Sequence, residues 1–346
     1  MKKISIHKNA TILEALGQLN SIRDVSRLIL FVVDDTGAVI GSLTDGDIRR
    51  ALVKEKKLDQ KIEFVCNTNF TYVQAGNTFL DLSEYRKKDL KMLPVLSSQR
   101  RLVEVIDLDR IKSILPLECM IMAGGRGKRL SPLTDKVPKP MLMLGSKPII
   151  EHNIDRLIAF GIKKIYISLK YLGEQIEEYF GDGSSKGISI EYIWEDKPLG
   201  TAGALSLVDN FKTPHILLMN SDLFTNIDFE DLFRCLIFSG AEMAVSSTEY
   251  KVDVPYAVFE TSGNEVKDFM EKPSFIYQSN AGIYILRREL IKEIPKNEFY
   301  DITDLMDKLV REKRKLVYNP ILGFWIDIGK PVDYDYAQNF ILHLEQ

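Results

Sequence analysis

Residues 119–140 read CMIMAGGRGKRLSPLTDKVPKP, an apolar run that breaks into a glycine-dense turn and closes on a Pro-Lys-Pro clamp. The run 119–123 has the length and bulk of a buried strand. Gly124, Gly125 and Gly127 then free the backbone for turn angles and close approach that a side chain would forbid. Such a turn aims several amide N–H groups at one point, and an anion is its natural guest. Arg126, Lys128, Arg129 and Lys139 add charge that a strand and turn do not need, with Arg129 able to fork onto phosphate oxygens and Lys139 acting as a point charge. An isolated GGxG is more often a plain turn with its cations in solvent. The spacing fits neither G-x-x-x-x-G-K-[ST] nor G-x-G-x-x-G, so a P-loop kinase and a dinucleotide-dependent oxidoreductase are both poorly supported.

Beyond this stretch, apolar runs and helical patterns alternate as in a parallel sheet covered on both faces. Strands are predicted at 119–123, 164–169, 188–193, 215–220 and 241–246, and helices at 148–160, 173–180 and 201–210. In such sheets ligands lie beyond the carboxyl ends of the strands, and three further stretches fall there. EDKPLGTAG (195–203) follows a strand and opens a helix. Its Gly200-Thr201 turn would let a flat base lie on the backbone, and the two oxygens of Glu195 match the paired donors on guanine's Watson-Crick edge; uracil or thymine would be better served by an amide. HILLMNSD (215–222) is an apolar strand ending in Asp222, and GFWIDIG (323–329) another ending in Asp327. Either acid alone reads as a cap or turn residue, but a strand-tip carboxylate also suits a hard cation. FMEKP (269–273) lies shortly before NAG (280–282), and an EKP alone is an ordinary surface turn.

Residues 122–141, MAGGRGKRLSPLTDKVPKPM, resemble the signature GGxGTRLxPLTxxxPKPM of the sugar-1-phosphate nucleotidyltransferases, with Lys128 where that family commonly has Thr. The resemblance implies an α/β fold: a Rossmann-like nucleotidyltransferase domain over 116–346 with a mixed, mostly parallel sheet. It implies attack of a sugar 1-phosphate on the α-phosphorus of a nucleoside triphosphate. Arg129, Lys139, Asp222 and Asp327 would be catalytic, with Mg2+ on Asp222 and Asp327. Ala123, Gly124, Gly125, Gly127, Glu195, Gly200 and Thr201 would hold the nucleotide, and Tyr256, Glu271, Lys272 and Asn280 the sugar phosphate. The E-x-x-P-L-G-T-A-G run looks like that of guanylyltransferases such as the GDP-mannose pyrophosphorylases, which points to GTP as the donor.

The first 115 residues form a separate module. TILEALGQL (11–19) has helical spacing with Thr11 placed to cap it. A strand at 30–34, a turn at 35–37 and a strand at 39–44 lead into a helix at Asp45. A looser copy follows, with a helix at 79–85, strands at 92–96 and 102–106 and a helix from Asp107, giving a repeat of roughly sixty residues. With GSLTDGDIRR in the first copy, the pair resembles a tandem CBS module over 1–115, a small α+β unit. It implies a purine nucleotide effector, with Thr44 and Asp47 on the ribose; the plainer reading is that these two residues cap a helix. The order of modules resembles glucosamine-1-phosphate guanylyltransferases that serve legionaminic-acid-type glycans, with mannose 1-phosphate the rival substrate. A nucleotide-sensing regulatory subunit without turnover is the non-enzymatic alternative. Residues 115–118 are expected to be a short hinge.

Composition excludes other classes. A length of 346 residues is generous for one core. A net charge of −3 with 27% charged residues provides no basic field for nucleic acid. The longest apolar run, 28–33, is far too short to cross a bilayer, and no signal peptide is recognised at 1–9. The three cysteines, Cys66, Cys119 and Cys235, have no metal spacing and read as reduced packing residues of a cytoplasmic protein. Four scattered histidines form no zinc motif. The tail 331–346 carries Val332, Tyr336, Phe340 and Leu344 at four-residue spacing, a helix expected to close the core or to join subunits of a homo-oligomer.

Overall fold

The computed structural model describes residues 4–22, 28–76, 82–88 and 90–344. The chain divides into two compact units, Met1–Ile114 and Leu115–Gln346.

In the first unit the repeat is explicit. Strands β1 (Ser5–His7), β2 (Ile29–Val33) and β3 (Val39–Thr44) form a sheet in which β1 runs parallel and β3 antiparallel to β2. Strands β4 (Val73–Gln74), β5 (Met92–Leu96) and β6 (Leu102–Asp107) repeat that order and those directions, with a bulge at the matching place. Helix α1 (Ile12–Asn20) starts at the expected Thr11 cap, and α2 (Asp45–Val53) starts at Thr44. The looser copy is poorer in helix. Of the helix expected at 79–85, residues 79–81 lie outside the described residues, and what is described is the single turn α3 (Ser83–Arg86). The helix expected from Asp107 is a turn instead. The side chain of Asp107 accepts from Asp109 N–H at 3.0 Å, an Asx turn that competes with helix formation, and Arg86 takes the carbonyls of Leu108 and Lys112 at 3.1 and 2.7 Å.

In the second unit, β7 (Leu117–Met122) runs through the centre. Short strands β8 (Met143–Leu144) and β9 (Lys147–Pro148) lead into α4 (Ile149–Ala159), and β10 (Lys164–Leu169) is followed by α5 (Glu174–Phe180) and β11 (Ser189–Trp194). Next come α6 (Gly200–Gly203), β12 (His215–Asn220), β13 (Leu223–Thr225), α7 (Phe229–Ser239) and β14 (Met243–Asp253). A hairpin of β15 (Val258–Ser262) and β16 (Glu265–Met270) precedes the long β17 (Ser274–Arg287), and α8 (Ile302–Arg311), β18 (Leu316–Pro320), β19 (Trp325–Asp327) and α9 (Pro331–Leu344) complete the unit. The seven-stranded sheet has the order β11-β10-β7-β12-β17-β14-β18, and only β17 opposes its neighbours. A mixed, mostly parallel sheet is what was expected.

Alternation along β7 explains the layers. Leu117, Cys119 and Ile121 face a core shared with Ile150, Leu157 and Phe229, while Met120 faces one shared with Ile302, Leu305 and Leu309. Burial pushes the Cys119 thiol well up, and those of Cys66 and Cys235 up as well, so none is an activated thiolate.

Three expectations are corrected. Residues 115–118 are not a hinge, because Leu115 and Leu117 are buried in the core of the second unit and Leu115 N–H donates to Phe160 O at 3.1 Å. The helix expected at 201–210 stops at Gly203 and tightens over Ala204–Leu207; the first-turn N–H groups of Ala202 and Gly203, which a helix cannot satisfy internally, are taken by Tyr300 O. The inner face of α9 is Ala337 and Ile341; Val332, Tyr336 and Leu344 are exposed and Phe340 is half-buried. Ala337 and Ile341 have the same four-residue step but sit one residue, ~100° around the helix, from Tyr336 and Phe340, so the expected stripe lies on the neighbouring face. Among the described residues no helix is long and apolar enough to cross a membrane.

Candidate active site

Strands β7, β10 and β12 end side by side, Met122 in register with Ser168 and with Asn220. The loops leaving them converge on a cleft of about 800 Å³ at the carboxyl edge of the sheet, lined by Gly124, Gly125, Lys139, Glu195, Gly200, Thr201 and Asp222 among others. Ala123 contributes differently from the expectation. Its side chain is buried and its N–H is spent on Ser168 O at 3.0 Å, so it anchors the loop rather than offering an amide to a ligand. At Gly124 a Cβ would lie 3.1 Å from Glu195 Oε1, whereas Gly125 faces open space. Gly127 has φ +63°, and a Cβ there would lie 3.0 Å from Lys139 Cβ and 3.2 Å from Thr134 Cγ2. The loop thus bends tightly around the lysine stem.

Lys139 is 8% exposed and donates its ammonium to Asp222 Oδ2. The other oxygen of Asp222, Oδ1, is buried without a partner among the described residues. Pairing of β13 with β19 sets Leu223 opposite Asp327, and Ile328 N–H donates to Asp222 O at 3.1 Å. Two acids far apart in sequence therefore stand together. Arg129 completes the group: a Cβ on Gly329 would lie 3.6 Å from both Arg129 Nη2 and Asp327 Oδ2. Burial around the Asp327 carboxyl, and then the charge of Asp222, hold it above the usual carboxylate range against the lowering pull of Lys139 and Arg129.

Glu195 lines the same cleft, its carboxylate against Gly124. Its Oε1 accepts from the Ser168 hydroxyl and its Oε2 from Leu199 N–H at 3.0 Å, while Lys170 Nζ donates to Glu195 O at 3.1 Å and Asp196 O at 2.7 Å. The carboxylate is buried and already ties the loop to β10. The Gly200-Thr201 turn lines the cleft and is tied to a distant segment. Gly200, at φ +76°, turns its Cα toward Tyr300 and Asp301, and Thr201 gives its N–H to Asp301 Oδ1 at 2.9 Å. That turn is fastened from behind.

The residues expected around the sugar phosphate are not among those lining the cleft. Tyr256, 76% exposed, and the exposed Glu271 and Lys272 belong to the loops flanking the β15–β16 hairpin; Lys272 adopts φ +46°, a left-handed turn. Asn280 lies within β17, and its amide donates to Tyr284 Oη at 2.8 Å while its Oδ1 accepts from Gly282 N–H at 2.9 Å. Lys170, Tyr171 and Phe299 line the cleft without having been singled out. Lys170 carried a signal, a cation one step past a strand beside the central one; Phe299 carried none.

In the first unit Thr44 and Asp47 satisfy each other. Asp47 Oδ2 accepts from Thr44 N–H and Oγ1 at 2.8 and 2.7 Å, Asp47 N–H donates to Thr44 Oγ1 at 3.2 Å, and Arg50 holds Asp47 Oδ1 at 2.6 Å. The plainer reading, a capping box at the head of α2, is what the structure contains.

A glycine loop, a buried lysine on a strand-end acid and a second acid beside it, at the carboxyl edge of a mostly parallel sheet, coincide with a family match. Residues 118–343 match the nucleotidyl transferase family, and the chain belongs to it. Residues 1–54 match the CBS domain. Among characterised proteins it is similar to mannose-1-phosphate guanyltransferase beta-A of Xenopus laevis, 30% identical over 226 residues covering 63% of this chain and 62% of that protein. It is also similar to a probable mannose-1-phosphate guanylyltransferase 1 of Oryza sativa subsp. japonica, 34% identical over 230 residues covering 63% of each. The chain thus spans less than two thirds of the length of these relatives. Among solved structures, a putative glucose-1-phosphate thymidylyltransferase from Bacillus anthracis in complex with a sucrose superposes with a TM-score of 0.53 at 26% identity, over 65% of this chain and 94% of that one. HddC from Yersinia pseudotuberculosis complexed with GMP-PN shares the fold, at a TM-score of 0.51 and 24% identity over 65% of this chain and 99% of that one.

Proposed function

We propose that this chain transfers a guanylyl group from GTP to a sugar 1-phosphate, giving a GDP-sugar and pyrophosphate. The observation that carries the reading is Lys139 on Asp222 beside the glycine loop at the cleft, with Asp327, which does not itself line the cleft, brought next to Asp222 by the β13–β19 pairing. An oxygen of the sugar-borne phosphate attacks the α-phosphorus, the bond to the bridging oxygen breaks, and pyrophosphate leaves with the electron pair. No covalent enzyme intermediate is needed, so the protein aligns the reactants and neutralises charge. Arg129 and the free amides of the glycine loop hold the departing pyrophosphate, and Lys139 orients the attacking phosphate. Tyr256, Glu271, Lys272 and Asn280 remain the candidates for the sugar side.

Asp222 and Asp327 would hold Mg2+. The fit is chemical: a buried carboxylate oxygen without a partner, next to a second acid crowded by the first, is a donor set that a hard oxygen-seeking cation satisfies. When bound, such an ion neutralises charge on phosphate oxygens. The names of the relatives support guanine as the base. Mannose 1-phosphate fits as well as the glucosamine 1-phosphate expected from the module order. For the first unit, the CBS domain match supports a purine nucleotide effector; reaching Thr44 or Asp47 would require it to break their capping box.

A matrix of triphosphates against mannose, glucosamine and glucose 1-phosphates, read by pyrophosphate release and mass spectrometry, tests the proposal. GTP with one of the first two sugars is expected to turn over fastest. No pyrophosphate from any pair would end it.

A further inference from the structure

One wall of the cleft comes from a segment remote from every sequence motif of the site. Phe299 is 62% exposed, yet it lines the same cleft as Gly124, Glu195 and Leu199. Its neighbours hold it there. Tyr300 N–H donates to Leu199 O at 2.9 Å, and Tyr300 O accepts from the N–H groups of Ala202 and Gly203, each at 3.0 Å. Asp301 Oδ1 accepts from Thr201 N–H at 2.9 Å and from its hydroxyl at 3.2 Å, and Thr201 Oγ1 accepts in turn from Ile302 N–H at 2.8 Å. A Cβ on Gly200 would lie 2.8 Å from both Asp301 Oδ1 and Tyr300 O, so the two segments are in contact along their length. Asp301 also caps α8 through Asp304. The backbone at 300–301 is laced down, and the Phe299 ring is left facing the cleft.

The rest of the lining says what such a ring can meet. Arg126, Lys128 and Lys139 lie along the glycine loop and its clamp and suit phosphates, whereas Phe299 shares the lining with Pro198, Leu199 and Glu195, and its neighbour Tyr300 holds Leu199, whose own N–H holds the Glu195 carboxylate. An apolar ring next to an acceptor suits a flat heteroaromatic base, whose faces are apolar and whose edge donates.

We propose that Phe299 stacks on the base of the bound triphosphate and that Asp301 is the positioning residue that presents it. This rests on the nucleotidyl-transfer reading and deepens it. Base stacking on an aromatic side chain is tolerant of base identity and carries a factor of about 5 to 150 in affinity, so Phe299 serves every triphosphate alike and leaves base choice to Glu195.

The test is calorimetric titration of the full chain with GTP and with UTP, without sugar 1-phosphate. F299A is expected to weaken GTP and UTP alike, by about tenfold. F299W should keep its affinity and show nucleotide quenching beyond that of Trp194 and Trp325 in the wild type. D301A should weaken binding, while D301N, which keeps the acceptor oxygen, stays near wild type. In turnover, F299A should raise KM for the triphosphate and leave KM for the sugar 1-phosphate unchanged. Because the ring is exposed, its truncation leaves the core intact, which a melting curve verifies. F299A binding like wild type, or no added quenching in F299W, overturns the inference alone; a wild-type chain that binds no triphosphate overturns the reading beneath it as well.

Discussion

Asp222 has one oxygen on Lys139 and the other, Oδ1, buried without a partner among the described residues. An orphaned buried acceptor costs about 1–3 kcal/mol, and a site that bears such a cost in the free state is expected to recover it with its ligands. Lys139→Met and Asp222→Asn should therefore lose about 10²–10³-fold in turnover while keeping the wild-type circular dichroism; near-normal pyrophosphate release from either would remove them from the chemistry. Asp327 gives a prediction of opposite sign for stability. Its carboxyl is raised in the folded chain, so the folded state binds more protons than the unfolded one above the unfolded value of about 3.9, and stability falls as pH rises from there through the folded value. Asp327→Asn should melt higher than wild type at neutral pH, with the gain shrinking toward pH ~4, yet be inactive. Manganese should raise the melting temperature of the wild type and not of Asp327→Asn; equal shifts would argue against a metal on this acid.

Elements carry the site, and α9 shows how helical spacing can mislead. Ala337 and Ile341 pack with Leu144, Phe224 and Ile326, and so brace the β13–β19 pair that brings the two acids together. Ile341→Ala should cost about 2–5 kcal/mol in denaturant unfolding, whereas Leu344→Gln, on the exposed side, should stay within about 0.5 kcal/mol. The reverse ranking would restore the four-residue stripe as the buried face. Helix α6 makes a related point. Its GTAG sequence was legible as a turn opening a helix, but the partners of its first-turn amides, Tyr300 and Asp301, lie far along the chain and left no local mark.

At the scale of the whole molecule, each unit has its own cores: Leu30, Leu43 and Ile48 among others in the first, Leu115, Leu117 and Cys119 among others in the second. A chain starting at Leu115 is expected to fold, to melt cooperatively and to release pyrophosphate. One starting at Cys119 loses two buried leucines and the first two of the six residues of the central strand, and should not fold; a cooperative melt from it would show that the boundary lies later. By itself the sequence determined the repeat of the first unit, the glycine loop with Lys139, the strand-tip position of Asp222 and the mostly parallel sheet, because backbone freedom, charge and apolar periodicity are encoded in adjacent residues. Tertiary structure alone decided that Leu223 pairs with Asp327, that Glu195 is braced by Ser168, and that Phe299 faces the cleft. Those contacts join residues whose local patterns carry no mark of one another, and they exist only once the sheet has set its strand order.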